Sequence, residues 1–269
     1  INIIPYACHA CPTNQYKVTE NCQNCLAASC QQVCPRDAIS FVNGKSFIDP
    51  GKCIKCGKCA QACDYNAIIH LERPCQAACG MDAIGMDENG KALINQDKCV
   101  SCGQCLVSCP FGAIVDKGQI YQVVRSIVEG DEVYAIAAPA FASQFGKDVT
   151  VGRLRAAIQA LGFKDMVEVA VGADICTVEE ARDFVEKVPA EQPYMATSCC
   201  PAWHAMVHKL FPAQAKNISM TLTPMVYTAR MVKKDHPGAK IVFVGPCAAK
   251  KLEAIRENIR SDVDFVLTF

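Results

Sequence analysis

Thr197-Ser198-Cys199-Cys200-Pro201-Ala202-Trp203 sets two adjacent cysteines where an apolar stretch over residues 194–198, read as a strand, meets an amphipathic helix over 201–210. Vicinal cysteines bond poorly to each other, because their Cβ vectors do not reach disulfide geometry. They suit a division of labour in which one sulfur holds a metal and its neighbour does something else. The design returns at Gly245-Pro246-Cys247-Ala248-Ala249-Lys250-Lys251, with a strand over 240–244, a Pro-Cys turn and a helix over 248–259. Outward from these turns the same alternation continues. Strands are expected over 133–138, 166–171 and 263–269, and helices over 152–161, 177–188 and 224–234. Strands alternating with helices argue for an α/β domain with a mainly parallel sheet. Sites in such sheets collect where strands end and helices begin. Pro139, Cys176, Cys199, Cys200 and Cys247 all fall at such ends.

Twenty cysteines dominate the 269 residues, and all but four lie in the first 109. Secreted disulfide scaffolds are short chains without a large core, whereas this chain continues into an ordinary core-forming half. The crowding therefore points to metal clusters in a reducing compartment, ahead of disulfides or structural zinc. The charge is balanced, 27 basic against 27 acidic residues, so no nucleic-acid or membrane-surface partner is implied. The longest apolar stretch, residues 133–142, is about half the ~20 residues a membrane span needs. With no signal peptide visible, a cytoplasmic location is expected. Ile1 in first place and a last apolar run ending at Phe269 read as a chain cut at both ends.

Cys53-x2-Cys56-x2-Cys59-x3-Cys63 has the bacterial ferredoxin spacing, and Cys99-x2-Cys102-x2-Cys105-x3-Cys109-Pro110 has it complete with proline. Cys22-x2-Cys25-x4-Cys30-x3-Cys34-Pro35 is a third run with two extra residues in its loop. Three closely spaced thiolates wrap one [4Fe-4S] cube and the fourth reaches a neighbouring cube. That rule pairs Cys22, Cys25 and Cys30 with Cys63, and Cys53, Cys56 and Cys59 with Cys34. A segment ending in Ala-Ile follows each run's last cysteine, as in Asp37-Ala38-Ile39, Asn66-Ala67-Ile68 and Gly112-Ala113-Ile114. Cys75-x3-Cys79, followed by Asp82-Ala83-Ile84, is the back half of such a run, and Cys8-x2-Cys11 is its candidate front half. The expectation is a split module (1–20 plus 70–118) around an inserted one (21–69), the iron-sulfur region ending near 118 and a second domain covering 119–269. Cys99, Cys102 and Cys105 would close on Cys79, and Cys8, Cys11 and Cys75 on Cys109. Cys8 and Cys11 could instead hold a separate metal, or none. Four cubes leave Cys176, Cys199, Cys200 and Cys247 over.

Taken together, residues 197–203, 244–253, Gly172-Ala173-Asp174 with Glu179-Glu180, and Ala138-Pro139-Ala140 resemble the motifs of the [FeFe]-hydrogenases, most like the group B branch. The resemblance implies α+β ferredoxin-like modules followed by an α/β iron-only hydrogenase domain, incomplete at its C-terminus. The implied reaction is reversible, two protons and two electrons giving H2. The implied cofactors are three to four [4Fe-4S] clusters and an H-cluster, a cube joined to a di-iron unit carrying CO and cyanide. Cys200 and Cys247 match two ligands of the catalytic cube, and the other two would lie beyond Phe269. Cys199 matches the proton-relaying thiol, with Glu180, Ser219 and Asp183 as further relay positions. Lys250 matches the lysine that binds a cyanide, and Ala138, Pro139 and Thr223 match pocket residues. Asp183 stands where the relay usually has glutamate, Met225 where the pocket has a polar residue, and Gly245 where many members carry methionine. Implied partners are a ferredoxin-type or other low-potential electron carrier and hydrogenase maturation proteins.

Plainer readings stand beside these. Glu180 alone would be an exposed helix residue, Lys250 with Lys251 a solvated helix face, and Cys176 a small buried hydrophobe. Trp203 is expected in the core and His9 as a solvated polar residue. His204 and His208 have zinc-helix spacing without the glutamate of a metalloprotease helix. Two other functions share the pattern: a non-catalytic iron-sulfur assembly factor with a hydrogenase-like body, and a multi-cluster electron carrier or H2 sensor.

Overall fold

The apolar run Val133–Ala137 is buried along its whole length, as expected for a strand covered on both faces. In the computed structural model, which describes residues 1–256 and 261–269, it lies inside a four-stranded sheet. The order is Asp165–Glu168, Val133–Ala137, Lys240–Gly245, Phe265–Thr268, and every neighbouring pair is parallel. The two-residue strand period divides the core. Tyr134 and Ile136 join Ile241, Phe243 and Val266 under the helix Pro224–Asp235, through Met225, Val226, Ala229 and Val232. Val133, Ala135 and Ala137 face the other way, onto Val123, Phe141, Phe163 and Met166. Each buried Val, Ile or Phe contributes roughly 1.5–3 kcal/mol, so these two layers fix the sheet that carries the cysteine turns.

Several boundaries differ from expectation for physical reasons. Residues 194–198 are not a strand. Only Ala196 is bridged, to Ile218, donating to Asn217 O and accepting from Ser219 N. A strand needs a ladder, and this segment has one rung. The strand expected over 166–171 ends at Glu168, and the helix expected from 177 starts at Ala170 and runs to Lys187. The Val169–Val171 apolar stretch belongs to that helix, where Gly172 meets the helix Pro224–Asp235 so closely that a Cβ would lie 2.3 Å from Pro224 O. Ile120–Val128 is an unforeseen helix, with Val123 and Ile127 packed on the sheet. The helix expected over 248–259 is Lys250–Ala254, and its expected last residues, 257–259, lie outside the described residues. Pro201–Leu210 is helical as expected.

Contacts divide the chain into two units. The larger comprises Ile1–Asn2, Gln96–Gly103 and Val115–Phe269; the smaller comprises Ile3–Asn95 and Gln104–Ile114. The smaller unit is built from short hairpins and one-turn helices. Ile39–Val42 pairs antiparallel with Lys45–Ile48 across an Asn43-Gly44 turn, both residues at positive φ, as a tight hairpin requires. Ile84–Met86 pairs with Ala92–Ile94, and Gln15–Val18 with Ile68–Leu71. Each Ile that closes an Ala-Ile segment opens a strand: Ile39, Ile68, Ile84 and Ile114. Each one-turn helix buries one cysteine: Cys30, Cys59, Cys75 and Cys105.

Candidate metal centres and active site

The cysteine runs share one backbone design. The residue two after each leading cysteine has positive φ: Ala10, Asn24, Lys55 and Ser101. So does the residue three after each closing cysteine: Asp37, Asn66, Asp82 and Gly112. For a residue with a Cβ this conformation costs about 1–2 kcal/mol. It turns backbone amides onto sulfur. Ala38 N donates to Cys34 Sγ at 3.3 Å, Ala67 N to Cys63 at 3.4 Å and Ala83 N to Cys79 at 3.3 Å. At the leading cysteines, Lys55 N donates to Cys53 and Ser101 N to Cys99, both at 3.4 Å. Such bonds stabilise charge on sulfur and tune cluster potentials. The alanine at that offset is buried after each run, as Ala38, Ala67, Ala83 and Ala113 are.

Within the smaller unit one expected ligand set lines a single pocket, and members of two others share neighbours. Cys34, Cys53, Cys56 and Cys59 line one pocket, walled by Tyr16, Ile39 and Ile48. Burial pushes the Cys59 thiol up, and its neighbours Cys53 and Cys56 push it further. In the set that includes Cys22 and Cys30, Ser46 touches both: its N–H donates to Cys22 Sγ at 3.4 Å, and its hydroxyl lies 3.6 Å from Cys30 Sγ. Ala92 N donates to Cys8 Sγ at 3.4 Å. The hairpin registers make Ala92 the counterpart of Ser46, since Phe41 faces Ser46 as Met86 faces Ala92. Cys8 thus sits on its hairpin as Cys22 sits on its own. Cys75, raised by burial and held down by Arg73, is also raised by Cys109 and Cys11.

Convergent soft thiols that repel one another as thiolates are a donor set that an iron cluster relieves, so the residues fit the group. Among the described residues no three His, Cys, Asp or Glu side chains could hold a single metal ion. In a cube each thiolate binds its own iron. His9 stacks on Phe111 at 4.1 Å between ring centroids.

In the larger unit Cys200 is the N-cap of Pro201–Leu210, with proline in the first turn, and Cys199 and Cys200 are both exposed. Trp203 is a surface residue rather than a core one, 41% exposed, and its indole N–H donates to Thr197 O at 3.2 Å across the turn. Neither lysine of 250–251 is a solvated face. Lys251 pairs with Asp116 at 2.6 Å. Lys250 Nζ donates to Cys199 O at 3.0 Å and to Glu253 Oε2 at 2.6 Å. Glu253 is 1% exposed, and its other oxygen accepts from Thr223 Oγ1. The sequence motif contained Glu253 without giving it a role; its i,i+3 spacing from Lys250 was the available signal.

Cys176 is buried as expected, yet it is more than filler. Its thiol is pushed up to about 11, first by burial and then by Glu180 and Cys199, with Lys250 opposing. Lys250 thus joins Cys199 to Glu253 and, through it, to Thr223, and Cys176 lies within electrostatic reach of Glu180, Cys199 and Lys250. Ser219 is buried, accepts from Thr221 N at 3.2 Å, and shares a cleft with Ser198, His204, Thr223 and Glu253. Asp183 pairs with Lys187 at 3.0 Å along its own helix. Ala138 N donates to Val244 O, and Pro139 follows in a short 3-10 turn. A Cβ on Gly245 would lie 2.7 Å from the Phe243 ring and 2.9 Å from Ala138 Cβ, which accounts for glycine where methionine is common. Cys247 O accepts from Lys250 N at 3.1 Å. His204, with Nδ1 unpartnered, is pushed down to about 4 by burial, then by Arg256 and His208.

The family described as iron only hydrogenase large subunit, C-terminal domain, matches residues 131–269, and a 4Fe-4S binding domain and an LdpA Fe-S cluster-binding domain match 46–69 and 69–120. Iron hydrogenase 1 of Clostridium pasteurianum is 32% identical over 87% of this chain and 44% of its own. The periplasmic [Fe] hydrogenase large subunit of Nitratidesulfovibrio vulgaris is 32% identical over 86% and 56%. A probable cytosolic Fe-S cluster assembly factor of Aedes aegypti is 33% identical over 44% and 27%. The chain spans about half the length of the first two. A solved [FeFe]-hydrogenase shares the fold at a TM-score of 0.51, with 22% identity, covering 56% of this chain and 46% of that one. The chain belongs to the iron-only hydrogenase large-subunit family, with [4Fe-4S]-binding modules ahead of the hydrogenase domain.

Proposed function

We propose that the gene product is an [FeFe]-hydrogenase that interconverts protons, electrons and H2, with the smaller unit supplying the electron-carrying cubes. The observation that carries this reading is the buried Glu253 joining Lys250 and Thr223 while Lys250 reaches the carbonyl of Cys199. Cys200 and Cys247 would contribute thiolates to the catalytic cube. An H-cluster, when bound, supplies the redox-active iron at which protons and electrons combine. Lys250, oriented by Glu253 and shielded from water, presents a fixed positive charge to an anionic ligand such as cyanide. Cys199, exposed beside the ligand cysteine, is the thiol that moves a proton, with Glu180 the next acceptor and Ser219 and Asp183 further along the relay. Ala138, Pro139 and Thr223 shape the pocket wall.

In the smaller unit we assign one cube to Cys22, Cys25, Cys30 and Cys63, a second to Cys34, Cys53, Cys56 and Cys59, and a third to Cys8, Cys11, Cys75 and Cys109. Cysteines in this number, assigned to clusters rather than disulfides, fit a reducing cytoplasm, with a low-potential electron carrier and maturation proteins as partners. No described helix is long and apolar enough to cross a membrane.

The assembly factors are the second reading, favoured by the Aedes aegypti relative. A free thiol beside a ligand cysteine serves proton transfer and adds nothing to holding a cube, which favours the enzyme. Hydrogen evolution from reduced viologen by the matured gene product separates the two. The enzyme reading expects turnover that Cys199→Ala lowers by about 10²–10⁴-fold with iron content unchanged; no turnover, or turnover indifferent to Cys199, contradicts it.

A further inference from the structure

Arg73 is 3% exposed at the N-cap of the one-turn helix that carries Cys75. Arginine is almost never so buried without a partner of opposite charge. Its guanidinium donates to Cys11 O from Nε at 3.1 Å and from Nη2 at 2.7 Å, to Gly90 O from Nη2 at 2.6 Å, and to Gly85 O from Nη1 at 3.5 Å. All the acceptors are neutral carbonyls. Among the described residues no carboxylate pairs with it. A buried charge left uncompensated costs several kcal/mol, so this cation needs an anion that protein atoms do not supply.

The anion is indicated by what surrounds it. Cys75 is two residues away, and Cys11 carries the carbonyl that Arg73 grips. Cys109 and Cys11 lie within electrostatic reach of Cys75, and Cys8 is tied to Ala92, just beyond the Gly90 turn. Four thiolates on an iron-sulfur cube carry net negative charge, and one-electron reduction adds another. A guanidinium fixed beside the cube favours the reduced form over the oxidised one.

We propose that Arg73 is the buried counter-charge of the cube held by Cys8, Cys11, Cys75 and Cys109, that it raises this cube's reduction potential, and that it thereby makes the cube the smaller unit's electron-storing station. This rests on the ligand assignment above and goes beyond it. The cations next in sequence to the second cube's ligands, Arg36, Lys52, Lys55 and Lys58, are all exposed, and water screens their fields. Arg73 also holds the N-terminal segment against the hairpin through Cys11, Gly85 and Gly90, so a purely structural role must be separated from the electrostatic one.

The test is a potentiometric titration of the whole chain, loaded anaerobically with iron and sulfide, reduced stepwise with dithionite and read by electron paramagnetic resonance. The signal that disappears in Cys8→Ala identifies the cube. Arg73→Gln should shift that signal alone to lower potential, by at least tenfold in the oxidised-to-reduced ratio at fixed potential, about 59 mV for a one-electron couple. Arg73→Lys, which keeps the charge, should restore most of the shift. A fully loaded Arg73→Gln chain with the potential unmoved overturns the counter-charge. If Cys8→Ala keeps every cube, the ligand assignment itself fails, a distinct result. Should Arg73→Gln not assemble, the unmutated chain still decides. The cube lost in Cys8→Ala must titrate at higher potential than the one lost in Cys56→Ala, and the reverse order overturns the proposal.

Discussion

In the smaller unit several cysteines are held by amides within four places of them, as Cys34 is by Ala38 and Cys53 by Lys55, while Cys8 and Cys22 take theirs from a hairpin farther along the chain. In the larger unit Cys199, Thr223, Lys250 and Glu253 meet from three separate stretches of chain. A locally built site can be repeated by copying a short run, and its pieces can be separated, as Cys8-x2-Cys11 is from Cys75-x3-Cys79. A site assembled from distant stretches of chain depends on the fold that brings them together. The two should therefore fail differently when damaged.

The largest expected effect is in the larger unit. Glu253→Ala leaves the Lys250 ammonium in a buried site without its carboxylate, a change that costs about 3–5 kcal/mol. Chemical denaturation should show that loss, with the smaller unit's cubes still loaded; equal stability would mean that Glu253 does not hold Lys250. Next, Gly172→Ala forces a Cβ toward Pro224 O and Thr228. Overpacking of this kind costs typically 1–3 kcal/mol, and the thermal midpoint should fall accordingly. Gly245→Ala meets side-chain atoms, the buried Phe243 ring and Ala138 Cβ, rather than backbone, and should cost less; the opposite ranking would break the packing argument.

Cys34→Ala sharpens the other side of the comparison. It should remove one cube's worth of iron with little change in the thermal midpoint of the larger unit, measured against the unmutated loaded chain. Loss of every cube would show that the repeats do not act as separate sites.

The smallest effect expected is a pH dependence. His204 has a depressed pKa in the folded chain, about 4 against 6.5, so between these values the unfolded chain binds more protons. Stability then falls as pH drops from 6.5 toward 4 and is fully present above 6.5. His204→Phe should remove a loss on the order of 1–2 kcal/mol once solvent screening is discounted. Denaturation at pH 7 and pH 4.5 checks it; an unchanged pH slope contradicts the assignment to His204.

The difference between the two regions also governs what could be read from the sequence. The Ala-Ile strand starts were legible because the dipeptide recurs four residues after each closing cysteine, and both its residues are buried each time. The parallel sheet was legible from its apolar runs. The helix starting at Ala170 was not, because Val169–Val171 has strand-like composition and only the crossing at Gly172 shows why it coils. Residues 194–198 looked like a strand because composition says nothing about whether a ladder partner exists. Trp203 looked like core, but its turn lies at the surface. Glu253 and Cys176 acquire part of their role through neighbours distant in sequence, Thr223 for one and Cys199 for the other.

The central claim is that Cys200 and Cys247 belong to an H-cluster site in which Lys250 faces a cyanide. Infrared spectroscopy of the gene product, matured anaerobically with hydrogenase maturation proteins, tests it most directly. The account predicts bands of iron-bound CO and cyanide, with the cyanide bands shifted in Lys250→Met. A protein fully loaded with [4Fe-4S] cubes and silent in that region would contradict it and leave the assembly-factor reading in its place.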